Sequence, residues 1–553
     1  MFSDPVVGPD FFGREEVLDT LRKRVEAFVN GYRQNVALIG HQKLGKTSVL
    51  HQLLYSFHSD GLLPVYVELK PRSLEAFVDQ FIRSLLFEYL RRKQSIDSVE
   101  SFDTLIQLAR GFIPQSAQEI TGIKNDLKRG DPESAYVRLF ELTSCVHKET
   151  GLRSIVILDE FHLLGEFGVK NAFQNFGKRL MLQKDTMYVI SSSSFTISRR
   201  ILAEKLSLLF GHFERINLEP FPFEVADAFI DKKLTGLAVS DDVKKYLISL
   251  TDGHPFFLNA ICRQMRQAAV MGSRPAADAG TLVESLQRLF FDSEGILNHY
   301  YLNAIARWPE RHRVLLAHMA CGTNRLKELS QSVLRSARET SRCLKELTEA
   351  ELVVKNGVFY HFHDKLFRFW LKYVYQPKEL SLLVDTPSKA AHFRLECLKS
   401  IDSFRSASRL PARERIANLL KSFHGDRVEF DSKGKLLPAF NEVVIDAGPA
   451  GGEPAIIART RGQSWICQVI ERKSTEKDVL DFLKRAPGSA KARMKKVLIT
   501  LDGMEHNAKL LAKNKKIWTL NLQKINALMD LYGQTKIVSV KIRGESAPAP
   551  IAD

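Results

Sequence analysis

Short runs of mostly apolar residues alternate with segments of helical periodicity over roughly the first 220 residues of the chain. The runs are rich in branched residues, which is typical of strands buried on both faces of a parallel sheet. They predict strands at Asn35–Ile39, Leu63–Glu68, Ser154–Leu158 and Met187–Ser191. Strands that alternate with helices in this way predict a doubly wound α/β core over roughly residues 10–220.

A long helical pattern separates the second predicted strand from the third. Apolar residues recur at helical spacing from about residue 73 to residue 148, and Phe77, Phe81, Leu85 and Leu86 share one face. This stretch is longer than a minimal fold of this type needs. It predicts an insertion, to which the sequence assigns no role.

Beyond residue 220 the pattern is mainly helical up to about residue 435. Residues 221–305 predict a helical lid, residues 306–375 a winged helix-turn-helix, and residues 376–435 a helical connector. Within the winged helix, Asn356-Gly357 is a strong hairpin signal. The predicted elements there are helices at Val314–Met319, Leu326–Val333 and Ser341–Ala350, and two strands within Val353–Phe362.

A second α/β pattern occupies residues 436–540, and residues 541–553 have a composition typical of a disordered tail. Helices are predicted at about 475–486, 504–514 and 521–532. The predicted strands are Pro438–Asp446, Pro454–Arg459, Trp465–Glu471 and Lys495–Thr500.

The turn after the first predicted strand fits the phosphate-loop pattern G-x-x-x-x-G-K-S/T. Its glycines allow successive backbone N–H groups to point at phosphate oxygens, and the following helix N-terminus favours an anion. Lys46 is expected to reach the β- and γ-phosphates of ATP, and the Thr47 hydroxyl to join the Mg²⁺ shell. The predicted loop residues are Gly40, His41, Gln42, Lys43, Leu44, Gly45, Lys46, Thr47 and Ser48.

The third predicted strand ends in a pair of carboxylates, Asp159 and Glu160. Ligands of open α/β sheets bind at the carboxyl ends of the strands. Asp159 is therefore expected to hold Mg²⁺, and Glu160 to polarise the attacking water.

Two features after the acidic pair leave alternatives open. The serines at 192–194 follow the fourth predicted strand and are either sensors of the γ-phosphate or ordinary loop residues. Arg199 and Arg200 are either arginine fingers, in the same chain or across a subunit interface, or solvated surface charges.

The net charge and the cysteine pattern limit the kinds of binding partner and the cellular compartment expected for the protein. The net charge of +16 and the pI near 9.4 favour nucleic acid or anionic membrane partners, although a merely basic surface is the alternative. The six cysteines include no C-x-x-C pair, which argues against zinc and disulfides and fits a reducing cytoplasm. The sequence shows no secretory signal pattern and no apolar run of membrane-spanning length, so no membrane association is expected.

Basic residues mark the third helix of the predicted winged helix and its approach. Arg335, Arg338, Arg342 and Lys345 are spaced to lie along a DNA major groove and contact phosphates. The alternative is a winged helix that serves only for packing or for protein contacts.

Taken together, these residues resemble the STAND-type archaeal ATPases, P-loop NTPases close to AAA+ proteins. The resemblance includes Phe12-Gly13-Arg14-Glu15-Glu16, the phosphate loop, Leu158-Asp159-Glu160, Gly253-His254-Pro255 and Asp364-Lys-Leu-Phe-Arg-Phe-Trp370. It implies that Gly13 and Arg14 lie near the adenine, that the turn with His254 and Pro255 senses nucleotide state, and that the protein forms homo-oligomers. Many members of the family also carry a C-terminal domain of restriction-endonuclease type.

Glu471 and Lys473 resemble the E-x-K half of the PD-(D/E)xK nuclease motif. A predicted strand would place both on one face, where a carboxylate holds Mg²⁺ and an ammonium activates water. The pattern also needs an aspartate on the preceding strand, but Ala455 stands in that place. The residues that could substitute are Asp446, Glu442 and Glu453.

A degenerate active site and an active nuclease therefore both remain open. A set of basic residues in the C-terminal domain would suit contacts with DNA, and the alternative is that they are solvated surface charges. They are Lys491, Arg493, Lys495, Lys496, Lys513, Lys515 and Lys516.

The sequence thus predicts a P-loop NTPase parallel sheet with a helical lid, a winged helix-turn-helix and a second, restriction-endonuclease-like α/β domain. The expected function is a cytoplasmic ATPase that couples ATP and Mg²⁺ binding to assembly on DNA. One alternative is an ATP-regulated, Mg²⁺-dependent DNA nuclease, and the other is a nucleotide-gated scaffold that binds protein partners.

Overall fold

The computed structural model describes residues 5–57, 59–71, 73–93, 101–206, 213–273, 275–291, 295–379, 386–430, 433–446, 454–485 and 493–539. The chain divides into two compact units, residues 1–220 and 221–553. Every helix in the described ranges is too short or too polar to span a lipid bilayer.

The first unit is built on a five-stranded sheet. Its strands are β1 (Asn35–Ile39), β2 (Leu62–Glu68), β3 (Arg153–Asp159), β4 (Thr186–Ser192) and β5 (Phe213–Asn217). They lie in the order β2-β3-β4-β1-β5, and every pair is parallel. The strand before the phosphate loop and the strand before Glu160 are therefore separated only by β4. Their carboxyl ends meet at the same edge of the sheet.

The hydrophobic pattern predicts four of these strands but not β5. Within the described residues this strand pairs only with β1, at the edge of the sheet. Phe213 is its one buried residue, and half-buried and exposed residues alternate after it. An edge strand of five residues that includes Glu214 and Arg215 has no apolar run, so the pattern that marks the central strands is absent.

Helices cover both faces of this sheet. α1 (Glu15–Val29) and α2 (Lys46–Ser56) pack on one face. The opposite face is covered by α3 (Leu74–Leu90), α4 (Phe102–Arg110), α5 (Pro114–Lys128), α6 (Pro132–Thr150) and α7 (Ala172–Leu182), and α8 (Phe195–Arg200) follows β4.

The stretch predicted as an insertion is helical and forms part of the main core. Phe81 and Phe140 are fully buried, with ring centroids 5.9 Å apart, and share one cluster with Ala37 and Val65 of the sheet. The stretch supplies most of the layer on one face of the sheet, so removing it would expose that face.

The second unit begins with helices. They are α9 (Phe223–Lys233), α10 (Asp241–Thr251), α11 (Pro255–Met271), α12 (Ala279–Phe291), α13 (Ile296–Ala306), α14 (Glu310–Ala320), α15 (Leu326–Ser332), α16 (Ala337–Glu349), α17 (Lys365–Trp370), α18 (Gln376–Glu379), α19 (Thr386–Arg409) and α20 (Ala412–Lys421). Two short strands, β6 (Ala238–Val239) and β7 (Ala276–Ala277), pair in parallel, and β8 (Val353–Asn356) and β9 (Phe359–Phe362) form an antiparallel hairpin.

Three helices followed by a hairpin, α14 to β9, reproduce the order of elements that the sequence predicts for residues 306–375. The third helix begins four residues earlier than predicted, at Ala337 instead of Ser341. The cause is a capping box, in which Ser336 and Glu339 each bond the other's backbone N–H.

The C-terminal part of the second unit is a five-stranded mixed sheet preceded by a hairpin. The hairpin consists of β10 (Arg427–Phe430) and β11 (Lys433–Leu436). Each of the last three sheet strands is followed by one helix, in turn α21 (Glu476–Arg485), α22 (His506–Asn514) and α23 (Leu522–Leu531). The sheet strands are β12 (Glu442–Asp446), β13 (Ala455–Arg459), β14 (Gln463–Ile470), β15 (Arg493–Thr500) and β16 (Trp518–Asn521). Their order follows the chain; β12 to β14 pair antiparallel, and β14 to β16 pair in parallel.

The two faces of this sheet have separate cores. Trp465, Val497 and Leu520 pack with Val428 of β10 and with α20 and α23. Ile466 and Leu498, on the other face, pack with α21 and α22. The first core also includes Phe359 of β9, so it extends across the predicted boundary at residue 436.

The predicted strands of this sheet differ from the structure at several of their ends, and β16 was not predicted. The largest difference is that β12 begins at Glu442 instead of Pro438; β14 ends at Ile470, one residue before Glu471. The predicted disordered tail, 541–553, lies outside the described residues.

Candidate nucleotide-binding site

The predicted phosphate loop connects β1 to α2. Gly40 follows β1 at a place where a Cβ would lie 2.6 Å from the carbonyl oxygen of Leu218, so only glycine fits there. Lys43 and Gly45 both have positive φ, +62° and +94°. Left-handed residues inside a short loop turn its backbone N–H groups toward a common centre, which is the geometry of an anion site.

Lys46 lies inside this loop. Its side chain is buried, and the ammonium donates to the carbonyl oxygens of Gly40 at 2.8 Å and His41 at 2.9 Å. These bonds hold the ammonium at the centre of the turn, where phosphate oxygens of a bound nucleotide would meet it.

The other loop residues divide into exposed and packed positions. Gln42 and Lys43 are exposed, whereas Leu44 is buried in the core beneath the loop. The His41 ring stacks on Phe195 with centroids 6.4 Å apart, and the Ser48 hydroxyl accepts the backbone N–H of Val6 at 3.0 Å.

The phosphate loop and the acidic strand end meet through one hydrogen bond. The Thr47 hydroxyl donates to Oδ2 of Asp159 at 2.7 Å. Asp159 is 1% exposed, and Ser191 donates to its other carboxylate oxygen. A buried carboxylate beside a hydroxyl supplies the hard oxygen ligands that Mg²⁺ prefers, together with the phosphates of a substrate. The residues present therefore fit a magnesium ion.

Tyr66 of β2 is a third partner of Asp159 that the sequence did not single out. Its hydroxyl donates to Oδ2 at 3.1 Å, and its ring contacts His51 edge-on. Burial and the charge of Asp159 raise the pKa of Tyr66, so the phenol keeps its proton and remains a donor. This bond fixes the orientation of the carboxylate.

Glu160 stands just past β3 in a left-handed conformation, with φ +59°. Its Oε2 accepts the backbone N–H of Ser193 at 2.7 Å and lies 3.4 Å from Nδ1 of His162. The same His162 nitrogen is 2.9 Å from the Ser192 hydroxyl. The serine run at the end of β4 therefore contacts Glu160 directly, through Ser193. The role of sensor remains a prediction.

Arg14 approaches the phosphate loop from the start of α1. Its guanidinium donates to the carbonyl oxygen of Leu44 at 3.2 Å, and burial lowers its pKa to about 10. Gly13, next to it, has φ +71°. Arg199 and Arg200 are exposed at the end of α8.

His254 and Pro255 belong to the second unit. Pro255 is the first residue of α11, and the His254 ring lies 4.3 Å from that of Phe257. Gly253, with φ +74°, sits where a Cβ would lie 2.3 Å from the carbonyl oxygen of Phe221. This turn is therefore tightly constrained.

An ion cluster flanks this turn. Asp252 pairs with Lys536 at 2.6 Å, and Asp530 pairs with Lys365 at 2.7 Å and with Lys536 at 3.1 Å. Burial alone would raise the pKa of Asp252, but Lys365 and Lys536 lower it to about 2. Asp252 is therefore charged at neutral pH.

The candidate nuclease residues are not brought together. Glu471 and Lys473 are exposed in the turn after β14, beyond the strand face on which the sequence placed them. The residue that faces Ala455 across the strand pair is Gln468, three residues before Glu471 and thus roughly 10 Å from it along an extended chain.

Of the possible substitutes, Asp446 faces Ala455 from β12, and Glu442 pairs with Arg459 at 2.8 Å. Glu453 and Lys491 lie outside the described residues.

The candidate DNA contacts Arg338, Arg342 and Lys345 are exposed on α16. Two of them have partners on the same helix: Arg342 pairs with Glu346 at 3.2 Å, and Lys345 with Glu349 at 3.8 Å. Such exposed pairs are weak and would open readily.

Comparison with known proteins gives a similarity of fold. No family model and no curated protein matches the chain. A Walker-type ATPase of Pyrococcus abyssi matches at 17% identity over 67% of this chain and 99% of its own, with a TM-score of 0.48. The Aeropyrum pernix ORC2 protein, in ADPNP and ADP complexes, matches at 12% identity over 72% and 98% of the two chains, with a TM-score of 0.46. The Aeropyrum pernix ORC1 protein in complex with DNA matches at 15% identity over 68% and 96%, with a TM-score of 0.39. The assignment of the site therefore rests on the residues described above.

Proposed function

We propose that this chain is an ATPase of the STAND/AAA+ type that binds ATP and Mg²⁺ in its first unit. It couples the state of the nucleotide to binding of DNA or assembly on it. The observation that carries the proposal is the 2.7 Å hydrogen bond between Thr47 and Asp159. It joins two motifs that lie 112 residues apart in the chain, at one edge of a parallel sheet.

The proposed mechanism assigns one task to each residue. Lys46 binds the β- and γ-phosphates, and Thr47 and Asp159 hold the metal, which when bound neutralises phosphate charge. Glu160 accepts the proton of a water that attacks the γ-phosphorus. The bond from that phosphorus to the β–γ bridging oxygen breaks, and ADP and phosphate leave.

Replacing Asp159 by Asn tests the metal half of the proposal. The amide keeps the shape and can still accept the Thr47 hydroxyl, but it removes the negative charge that binds Mg²⁺. We expect the gain in ATP affinity on adding Mg²⁺ to fall at least roughly 10-fold, the equivalent of one charged hydrogen bond. Affinity without Mg²⁺ should change little.

The control is Glu68→Gln. Glu68 is a carboxylate at the same sheet edge, in register with Asp159 but paired with Lys70. Calorimetric titration with ATP, with and without Mg²⁺, measures both variants. An unchanged Mg²⁺ effect in Asp159→Asn would remove the site assignment.

For the C-terminal part, we propose a restriction-endonuclease-like domain with a degenerate active site. Its support is Ala455, which stands where the nuclease pattern needs an aspartate, and Gln468 rather than Glu471 faces it across the strand pair. We expect the wild-type protein to leave duplex DNA intact in ATP and Mg²⁺, as gel electrophoresis would show. Cleavage that disappears in Glu471→Ala would instead support the nuclease alternative.

DNA as the partner, homo-oligomeric assembly and a cytoplasmic location complete the proposal. Their support is the net charge of +16, the exposed cations of α16 and the resemblance to the ATPase family. The scaffold alternative predicts instead that retention on DNA is weak and insensitive to salt.

A further inference from the structure

A groove lies beside the edge strand β2, on the same face of the sheet as α1 and α2. Side chains of β2 and β3 form its floor, where Pro64 stands in register with Ile155 and Tyr66 with Ile157. Residues of α2 and α3 form its two walls, and its volume is about 720 Å³. We call this space the β2 groove. Its size suits a small organic ligand.

The exposed edge of β2 cannot accept a further strand. Pro64, in the middle of β2, has no N–H to donate. The N–H of Tyr66 donates to the Ser84 hydroxyl of α3 at 3.0 Å, and the Arg92 guanidinium donates to the carbonyl oxygen of Leu62. Side chains of α3 therefore occupy the backbone groups of this edge. An occupant of the β2 groove would contact side chains and not the strand backbone.

Two polar groups in the walls of the β2 groove have no hydrogen-bond partner. They are the His51 imidazole of α2 and the Tyr89 hydroxyl of α3, and this holds over the ranges that the structure describes. Tyr89 is only 3% exposed. A buried hydroxyl without a partner is unfavourable, so a ligand that bonds it gains affinity. Burial lowers the pKa of His51, so this ring is neutral at neutral pH.

Two cations without a carboxylate partner lie at the end of the groove where β2 begins. The Arg92 guanidinium bonds the carbonyl oxygens of Asp60, at 3.2 Å, and Leu62, which are both neutral. The Lys93 ammonium lies 5.9 Å from the centre of the Tyr89 ring and has no ion pair with any described residue. Such cations attract an anionic group.

The carboxylates in the groove wall do not neutralise these cations. Glu88 pairs with Arg91 at 2.8 Å. The Asp60 carboxylate is exposed and, among the residues described, forms no ion pair. Three cations against two carboxylates leave this end of the groove positive.

The opposite end of the β2 groove reaches the metal site. Tyr66 lines the groove, and its hydroxyl donates to Asp159 at 3.1 Å. The His51 ring, one helical turn after Thr47, contacts the Tyr66 ring edge-on with centroids 4.6 Å apart. From Leu62 to Tyr66 the strand extends about 13 Å. A molecule packed against Tyr66 would restrict this side chain and thereby the orientation of the Asp159 carboxylate.

We propose that the β2 groove binds a small amphipathic carboxylate and that this ligand modulates the metal site through Tyr66. The carboxylate lies at Arg92 and Lys93, with the Tyr89 hydroxyl as a further donor. The apolar body lies on the floor of the groove, and its far end contacts Tyr66. Binding itself is independent of the proposed function, whereas the effect on the metal site rests on it.

The test of binding uses decanoate and the full chain without nucleotide, measured by titration calorimetry below the micellar concentration. We expect Lys93→Glu to weaken decanoate binding at least roughly 10-fold, because repulsion replaces attraction. Tyr89→Phe should weaken it roughly 2- to 10-fold without lowering the thermal midpoint, because this hydroxyl has no bond to lose. Decylamine, which has the same chain with a positive end, should bind far more weakly than decanoate.

The matched control is Lys128→Glu, which reverses an exposed lysine at the end of α5. It should bind decanoate like the wild type, and ATP turnover without decanoate should stay unchanged in Lys93→Glu. The groove assignment is wrong if the wild type does not bind decanoate, if Lys93→Glu binds it as tightly as the wild type, or if Lys128→Glu weakens binding equally.

The test of coupling compares decanoate affinity with and without ATP and Mg²⁺. Coupled sites change each other's affinity by the same factor, which we expect to be roughly 5-fold or more. In Tyr66→Phe decanoate should still bind, but this factor should fall to about one, because the bond to Asp159 is lost. A wild type that binds both ligands independently would overturn the coupling. A wild type that binds decanoate but not ATP would overturn the proposed function and support the groove as a binding site.

Discussion

Glu160→Gln should lower the rate of ATP turnover by about 10²- to 10⁴-fold, the usual contribution of a general base. Glutamine has nearly the same shape, and its oxygen can still accept the N–H of Ser193 that Glu160 accepts at 2.7 Å. It cannot take the proton of the attacking water. ATP binding should therefore persist while hydrolysis nearly stops, as a phosphate-release assay and an equilibrium titration on one sample would show.

Glu166→Gln is the matched control for this experiment. Glu166 is exposed and belongs to the same short helical turn, Phe161–Glu166, that follows Glu160. It should turn over ATP at the wild-type rate. If Glu160→Gln hydrolyses ATP as fast as this control, another group activates the water and the assignment of Glu160 is wrong.

The Lys46→Ala variant should lose ATP binding itself, the step before hydrolysis. The ammonium now bonds two loop carbonyls at 2.8 and 2.9 Å, and a triphosphate offers it stronger, charged acceptors. Losing charged hydrogen bonds of about 1.5–3 kcal/mol each lowers ATP affinity by roughly 10- to 100-fold or more. Equilibrium titration with ATP would measure this loss.

Two controls separate the loss of the Lys46 ammonium from a general loss of positive charge and from unfolding. Lys23→Ala, which removes an exposed lysine from α1, should bind ATP like the wild type. The thermal midpoint of Lys46→Ala without nucleotide should remain within a few degrees of the wild type, because the loop keeps its glycines. Tight ATP binding by a folded Lys46→Ala protein would contradict the proposed loop function.

The sequence predicted the structure best where a local pattern of residues determines it. The apolar runs at β1, β3 and β4 predict central strands, and the glycines and Lys46 predict a phosphate loop between β1 and α2. A strand buried on both faces requires consecutive apolar residues, and a turn with positive φ favours glycine, so both features are visible in neighbouring residues of the sequence.

Features that depend on distant residues could not be predicted. Nothing local indicates that Tyr66 donates to Asp159, because the two residues meet only when β2 pairs with β3. The same holds for hairpin β8–β9: Asn356-Gly357 predicts a turn, but not that Arg427 lies against it. By contrast, the start of α16 could have been predicted, because Ser336 and Glu339 have the spacing of a capping box.

The ion cluster beside the Gly253 turn has a mechanical consequence. Lys536 is buried and has Asp252 and Asp530 as counter-ions, one just before the turn and one on α23. Pulling Asp252 away would leave a buried ammonium half-neutralised, a costly arrangement. A rotation of this turn would therefore have to move α23 and Lys536 with it. The four charges couple the movement of two stretches that are distant in the chain.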